Sequence, residues 1–262
     1  MKCAWLILIL SLTSVVALGQ TEDAHISGRV TDLSGAVIVG SECSITNIET
    51  NISTSTTTNE DGLYVIPGLR PATYNLTIQK VGFRTVIRPN LQLYALDAVN
   101  ENFTLAIGAS SESITVRSGI AGLQTDSAAV STVVNQQFVD NMPLNGRSFQ
   151  SLIALTPGVV FTSQNDGMGQ FSVNGQRSDS NYFMVDGVSA NFGSAALFLD
   201  EAVGGALPGL TSGGNTNGLI SVDAMQEFRV QTSSYAPEFG RTPGAQISIV
   251  TKSGTDQFHG TA

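Results

Sequence analysis

The chain has 262 residues, with 21 Asp+Glu against 12 Lys+Arg, a formal net charge of −9 and 27 Gly. This balance excludes a disordered acidic tail, a coiled coil and a collagen-like rod, and it offers no basic face for nucleic-acid phosphate. Two Cys exclude a disulfide-stapled scaffold, leaving a β-rich, turn-rich chain long enough for one large or two modest domains.

Met1-Lys2 gives a short positive start before the apolar run Ala4–Leu12, and Ala17-Leu18-Gly19 has the A-x-G form of a signal-peptidase site. The run falls short of the about 20 apolar residues of a transmembrane helix. Residues 1–19 are therefore expected to be a signal peptide and the rest to be exported.

Residues 20–107 read as a small antiparallel β-sandwich. His25–Val30 alternates, and Glu42–Thr46 alternates with Cys43 and Ile45 inward. Asn51–Thr58 is polar enough for an edge strand, and Asn59-Glu60-Asp61-Gly62 is a hairpin turn. Leu63–Ile66 follows, and Pro67 is expected to end its ladder. Tyr74, Leu76 and Ile78 share one face; Val99, Phe103 and Leu105 complete the set. No zinc spacing is present, since His25 stands alone until His259, and Glu60-Asp61 lacks calcium-loop spacing. Tyr64 and Tyr74 are read as packing residues, with stacking on a sugar as the alternative.

Ser27-Gly28-Arg29-Val30-Thr31-Asp32, Thr58-Asn59-Glu60-Asp61-Gly62-Leu63-Tyr64, Leu69-Arg70-Pro71-Ala72-Thr73-Tyr74 and Val81-Gly82-Phe83 occur in that order. This series resembles the carboxypeptidase regulatory-like domain, which implies a prealbumin-like sandwich, a carbohydrate-binding-like fold. Ala72 stands where that family usually has Gly.

Residues 108–118 read as a linker, small and flexible at Gly108–Ser111, with one β-prone segment, Glu112-Ser113-Ile114-Thr115-Val116. It is either the first strand of the next domain or a strand that adds to the open sheet edge of a partner.

Residues 119–254 read as an α+β domain. Val130, Val133, Val134 and Phe138 predict a helix over 131–141, and Phe149, Leu152 and Ile153 a second that stops before Pro157. Phe171–Gly175, Tyr182–Val185, Glu227–Val230 and Gln246–Val250 read as strands, with a hairpin turn at Asp186-Gly187. Val203–Gly218 is expected to be a Gly-rich loop, without the Gly-Lys-Ser/Thr of a phosphate cradle. No Ser-His-Asp arrangement is available, so no catalytic, cofactor-binding or metal-binding residue is assigned.

Met142-Pro143-Leu144-Asn145-Gly146-Arg147-Ser148-Phe149 leads a second ordered series. It continues through Leu155–Val159, Val173–Arg177, Met184-Val185-Asp186-Gly187-Val188, Met225-Gln226-Glu227-Phe228-Arg229-Val230, Tyr235–Gly240 and Ile249-Val250-Thr251-Lys252-Ser253-Gly254. The series resembles the plug of Oar-like TonB-dependent outer-membrane receptors, a family in which the same sandwich precedes the plug. The resemblance implies a structural role for Pro143, Leu144, Asn145, Gly146, Arg147, Asp186, Gly187, Glu227, Phe228, Gly240, Thr251 and Lys252. Arg147, Arg177, Glu227 and Arg229 have a second reading, ion pairs to the barrel wall. The resemblance also makes Glu112–Val116 a candidate TonB box. It implies TonB and a β-barrel as partners, no cofactor, and a transported ligand that the sequence does not identify, saccharides and metal chelates being among the substrates of the wider family. A plugged barrel needs on the order of 200 strand residues, so 255–262 are expected to begin a barrel lying beyond this sequence. The alternative is a secreted or periplasmic carbohydrate- or peptide-binding module.

Overall fold

The computed structural model describes residues 22–108, 113–115, 129–141, 150–161, 171–177, 180–192, 207–208, 220–235, 239 and 242–255. The first two of these stretches fold into two facing sheets. One has the order β4 (Leu63–Leu69), β1 (Ala24–Asp32), β7 (Ala98–Asn100), with β8 (Phe103–Leu105) also on β1. The other has the order β3 (Ser53–Thr57), β2 (Glu42–Asn47), β5 (Ala72–Gln79), β6 (Thr85–Leu93), β9 (Ser113–Thr115).

Period-two alternation explains the packing. Along β5, Tyr74, Leu76 and Ile78 are buried while Thr73, Asn75 and Thr77 are half-exposed, so one face enters the core and the other meets water. Cys43 and Ile45 of β2 and Ile26 and Val30 of β1 join the same cluster. Full burial of each such aliphatic side chain is worth about 1.5–3 kcal/mol. Polar β3 lies at a sheet edge. Gly28 is required by close approach: a Cβ there would lie 1.9 Å from the Glu101 carbonyl oxygen and 2.9 Å from the Tyr64 ring.

Two features differ from the sequence reading. Most pairings are antiparallel, but β1 runs parallel to β7 and β8, and β6 parallel to β9. Pro67 does not end β4, which continues to Leu69. The ladder shifts register between its Leu69 and Ile66 pairings, and Gly68 adopts φ +70°, so a bulge absorbs the missing N–H.

The second body is built on a sheet of order β10 (Val130–Asn135), β17 (Met225–Ser233), β18 (Gln246–Thr251), β13 (Tyr182–Val185), β14 (Val188–Ser189). The helix expected over 131–141 is a strand for its first half. Helix α1 spans only Gln136–Asn141. Val130, Thr132, Val133 and Val134 are β-branched, and pairing with β17 overrides the helical spacing. Helix α2 (Gln150–Ile153) buries Leu152 and Ile153 and ends in a turn before Pro157. Phe171 of β12 (Phe171–Val173) stacks edgewise against Phe183 at 6.0 Å and tilts against Phe161 of β11 (Val159–Phe161) at 5.9 Å. Within the expected Gly-rich loop, Leu207–Pro208 (β16) pairs with Asn191–Phe192 (β15); its other residues lie outside the described ones.

Candidate functional site

The main sheet of the second body has two unlike faces. Phe228, Val230, Ile247 and Ile249 belong to the apolar core with Val139, Leu152 and Ile153. Register places Glu227, Arg229 and Gln231 opposite Val250, Ser248 and Gln246, so these share the other face. That face is polar yet buried: Glu227 and Arg229 are each 2% exposed.

The first body supplies the cover. Between β6 and β7 the chain turns tightly at Tyr94–Asp97, with Leu96 at φ +60°. The Asp97 carboxylate accepts from the Tyr94 N–H at 2.9 Å and from Arg229, and the Ala95 N–H donates to Glu227. Gln226 donates to the Pro71 carbonyl at 2.7 Å. Asp97 and Arg229 thus form a buried ion pair across the seam between the two bodies. Sequence reading offered the barrel wall as partner for Glu227 and Arg229; here both meet the sandwich, and Arg177 is exposed.

Glu22 lies on the same seam, 6% exposed, with the Ser248 hydroxyl and the Gly187 N–H beside its carboxylate. Burial pushes its carboxyl up to about 7; the adjacent Ser248 hydroxyl and Gly187 N–H pull it part of the way back, while Asp186 and Glu227 raise it. Burial likewise pushes Glu227 up to about 7, against the Ala95 N–H and Arg229, with Asp97 raising it further. Glu22, Asp23, Arg70, Asp186 and Gln226 line a cavity of about 260 Å³ beside this cluster. Among the described residues no group of three or more His, Cys, Asp or Glu is placed to hold a metal ion.

The β-prone linker segment lies elsewhere. Ser113–Thr115 forms β9 at the outer edge of β6, pairing in parallel as Thr85↔Ser113, Val86↔Ile114 and Ile87↔Thr115. Glu112 and Val116 lie outside the described residues, as do Pro143–Arg147 and Gly240. Asp186 and Gly187 form the expected β13–β14 turn, with φ +49° and +78°, and Asp186 accepts from the Thr251 N–H and hydroxyl at 2.9 and 2.8 Å. Lys252 donates its backbone N–H to the Ala224 carbonyl, and Phe228 is fully buried. Tyr64 and Tyr74 are buried, their hydroxyls on the Glu101 and Arg70 carbonyls, which leaves neither ring as a stacking platform.

Sequence reading missed Glu22, Ala95 and Asp97. The alternation Glu227-Phe228-Arg229-Val230-Gln231 announces a polar face, but a local pattern carries no sign of what covers it.

Residues 25–106 match the carboxypeptidase regulatory-like domain, and residues 123–245 match the TonB-dependent receptor plug domain. Over 212 residues the chain is 32% identical to the TonB-dependent transporter Oar of Myxococcus xanthus, a match covering 78% of this chain and 18% of that protein. The chain belongs to the Oar-like TonB-dependent receptors and corresponds to their N-terminal part. It spans less than a fifth of the length of that relative. TonB-dependent receptors are outer-membrane proteins. Among solved structures, the siderophore receptor PirA of Acinetobacter baumannii aligns at 19% identity and TM-score 0.37, over 48% of this chain and 18% of PirA. Catechol 1,2-dioxygenase of Acinetobacter radioresistens aligns at 15% identity and TM-score 0.29, over 39% of this chain and 58% of that one. Both likenesses are too slight to carry an argument. In this Oar-like receptor, the seam joins the regulatory-like sandwich to the plug.

Proposed function

We propose that the chain supplies the periplasmic and plug portions of a TonB-dependent outer-membrane transporter, whose plug gates energy-dependent uptake of a solute through a β-barrel. The supporting observation is the presence of both domain types in one chain, with an extended segment between them at Ser113–Thr115. In this reading residues 1–19 direct export, 20–107 form the sandwich, 108–118 carry the TonB box at Glu112–Val116, and 119–254 form the plug. Residues 255–262 lead into the barrel. TonB pairs with the box by strand addition and pulls, and the pull disturbs the plug. The plug strand that follows the box in the chain is β10, which among the described residues pairs with β17 alone at the edge of its sheet. An edge strand can be peeled away one hydrogen bond at a time, and a region of low local stability is what a gate requires.

The plug residues act structurally. Asp186 ties the β13–β14 hairpin to the end of β18, and Phe228 anchors β17 in the core. The test is capture of the receptor from solubilised outer membranes by the periplasmic domain of TonB. Wild type is retained and Ile114→Pro is lost, because proline removes a ladder donor. Equal capture of both removes the box assignment. Recovery of the whole protein from soluble periplasm instead of membranes removes the transporter reading in favour of a soluble binding module.

A further inference from the structure

We propose that the sandwich is an internal competitor of TonB: the outer edge of β6 holds residues 113–115 in a parallel ladder and must release them before TonB can pair with them. This deepens the reading of Glu112–Val116 as the TonB box and rests on it.

The chain is led back onto its own sandwich. Arg84 donates its N–H to the Ala106 carbonyl at 2.8 Å, Phe83 bridges to Ile107, and Gly108 donates to the Gly82 carbonyl at 3.1 Å. The exit of the sandwich is thereby fixed beside the start of β6. Residues 109–112 alone separate that point from Ser113, so the effective concentration of the segment at the β6 edge is high. β6 is paired along its inner side with β5, from Ala72↔Leu93 to Ile78↔Val86. β9 covers the other side at its first residues, as a covered edge is protected from foreign strands.

The docked segment is a poor template for a second strand. In a strand, each residue directs its N–H and C=O to one side, and the next residue directs them to the other. Of Ser113, Ile114 and Thr115, the groups turned toward β6 are spent, and those turned outward belong to one or two residues. Released, the same segment offers both sides, and Glu112 and Val116 can extend the ladder. TonB therefore gains more by exchange than by adding to β9 in place. The exchange barrier is low, because the β6–β9 ladder is three residues long and parallel.

Release also decides where force goes. With β9 docked, a pull on residues 113–115 loads the sandwich, and through Asp97–Arg229 and Ala95–Glu227 it shears the interior strand β17. With β9 free, the pull runs through residues 116–129 to β10 and peels an edge.

The experiment locks the ladder. Ile87 is half-buried, Thr115 is exposed, and they are direct partners, so Ile87→Cys with Thr115→Cys places two thiols at disulfide spacing. Cys43 does not interfere, being buried with its thiol pushed up to about 12. Binding of the periplasmic domain of TonB to this double variant is measured oxidised and reduced, with each single-Cys variant as control. The proposal expects binding about tenfold or more weaker when oxidised and full recovery on reduction. The reduced form of the same polypeptide is the control for folding. Ile114→Pro separates the two readings. If Ile114→Pro abolishes binding while the oxidised and reduced forms bind alike, the box assignment stands and the competition is overturned. If Ile114→Pro binds like wild type, the box assignment fails and the competition with it.

Discussion

The sandwich and the plug sheet solve the same burial problem differently. In the sandwich, two sheets each turn an apolar face inward, and the polar residues between, such as Thr73, Asn75 and Thr77, remain in contact with water. In the plug, β17 and β18 are buried on both faces, one apolar and one carrying Glu227, Arg229, Gln231, Gln246 and Ser248. The buried side-chain oxygens of Gln231 and Gln246 lack hydrogen-bond partners among the described residues. The apolar core of the sandwich is thus closed by its own two sheets, whereas the plug's second face depends on another surface and is incompletely satisfied by it. Unsatisfied buried polar groups weaken an interface, so the seam is expected to open before either apolar core.

The largest effect that would break this contrast is at Arg229. Arg229→Ala leaves Asp97 buried without its ion-pair partner and Glu227 without its nearest positive charge, at a cost of about 3–5 kcal/mol. The matching change in the sandwich, Arg88→Ala, removes an ion pair to Glu101 that is 3.8 Å long, with the two side chains 8% and 18% exposed, and it is expected to cost less, because the contact is longer and Glu101 keeps some access to water. Urea unfolding of the two variants measures the gap, and equal losses would erase the contrast. Replacing Asp97 and Arg229 together by Asn and Met is expected to cost less than Arg229→Ala alone, since no lone charge stays buried.

The next effect is a pH dependence confined to the seam. Glu22 and Glu227 are raised from 4.5 to about 7. The docked state therefore keeps protons that the undocked chain releases, and stability is fully present below about pH 4.5 and lost as pH rises through about 7. The groups facing this pair are Asp97, Arg229 and the Ala95 N–H around Glu227, and Asp186, Ser248 and the Gly187 N–H around Glu22. Each proton contributes at most about 1.4 kcal/mol per pH unit. The urea midpoint is expected to fall from about pH 5 to about pH 8, and Glu22→Gln with Glu227→Gln to flatten the fall. A flat wild-type profile would mean that the two carboxylates are hydrated in the seam.

The same contrast explains what could be read in advance. The strands of the sandwich are legible because one buried face writes itself into the sequence as alternation, as in Tyr74, Leu76 and Ile78. Gly62 and the Asn59 side chain mark their turn locally: Asn59 Oδ1 accepts from the Asp61 and Leu63 N–H groups, and the Asn59 backbone carbonyl accepts from the Gly62 N–H. Val130–Val134 misled because β-branched residues at helical spacing form a strand once β17 is beside them, and β17 lies about a hundred residues away in the chain. Pro67 misled because a bulge can accommodate a missing donor. The seam was the least legible part. Glu22 and Asp97 are unremarkable in their local sequence, and their role arises from contact with Ser248 and Arg229 across the fold.

The smallest effect lies where the two regions touch through a turn. Asp186 sits at φ +49°, a conformation Asp and Asn tolerate better than most residues, and its carboxylate holds Thr251 by two hydrogen bonds. Asp186→Ala loses both bonds and strains the turn, for about 1–2 kcal/mol; Asp186→Gly loses the bonds but relieves the backbone; Asp186→Asn keeps an acceptor and the turn. The expected order of loss is therefore Ala, then Gly, then Asn. Asp186→Asn carries a second signature. It removes a negative charge that raises Glu22, so the fall in stability with rising pH ends at a lower pH and is smaller in total, while stability at low pH is nearly unchanged. A turn that served only the plug would show the stability order without that shift, so the two readouts together decide whether Asp186 reports to the seam or to its own hairpin.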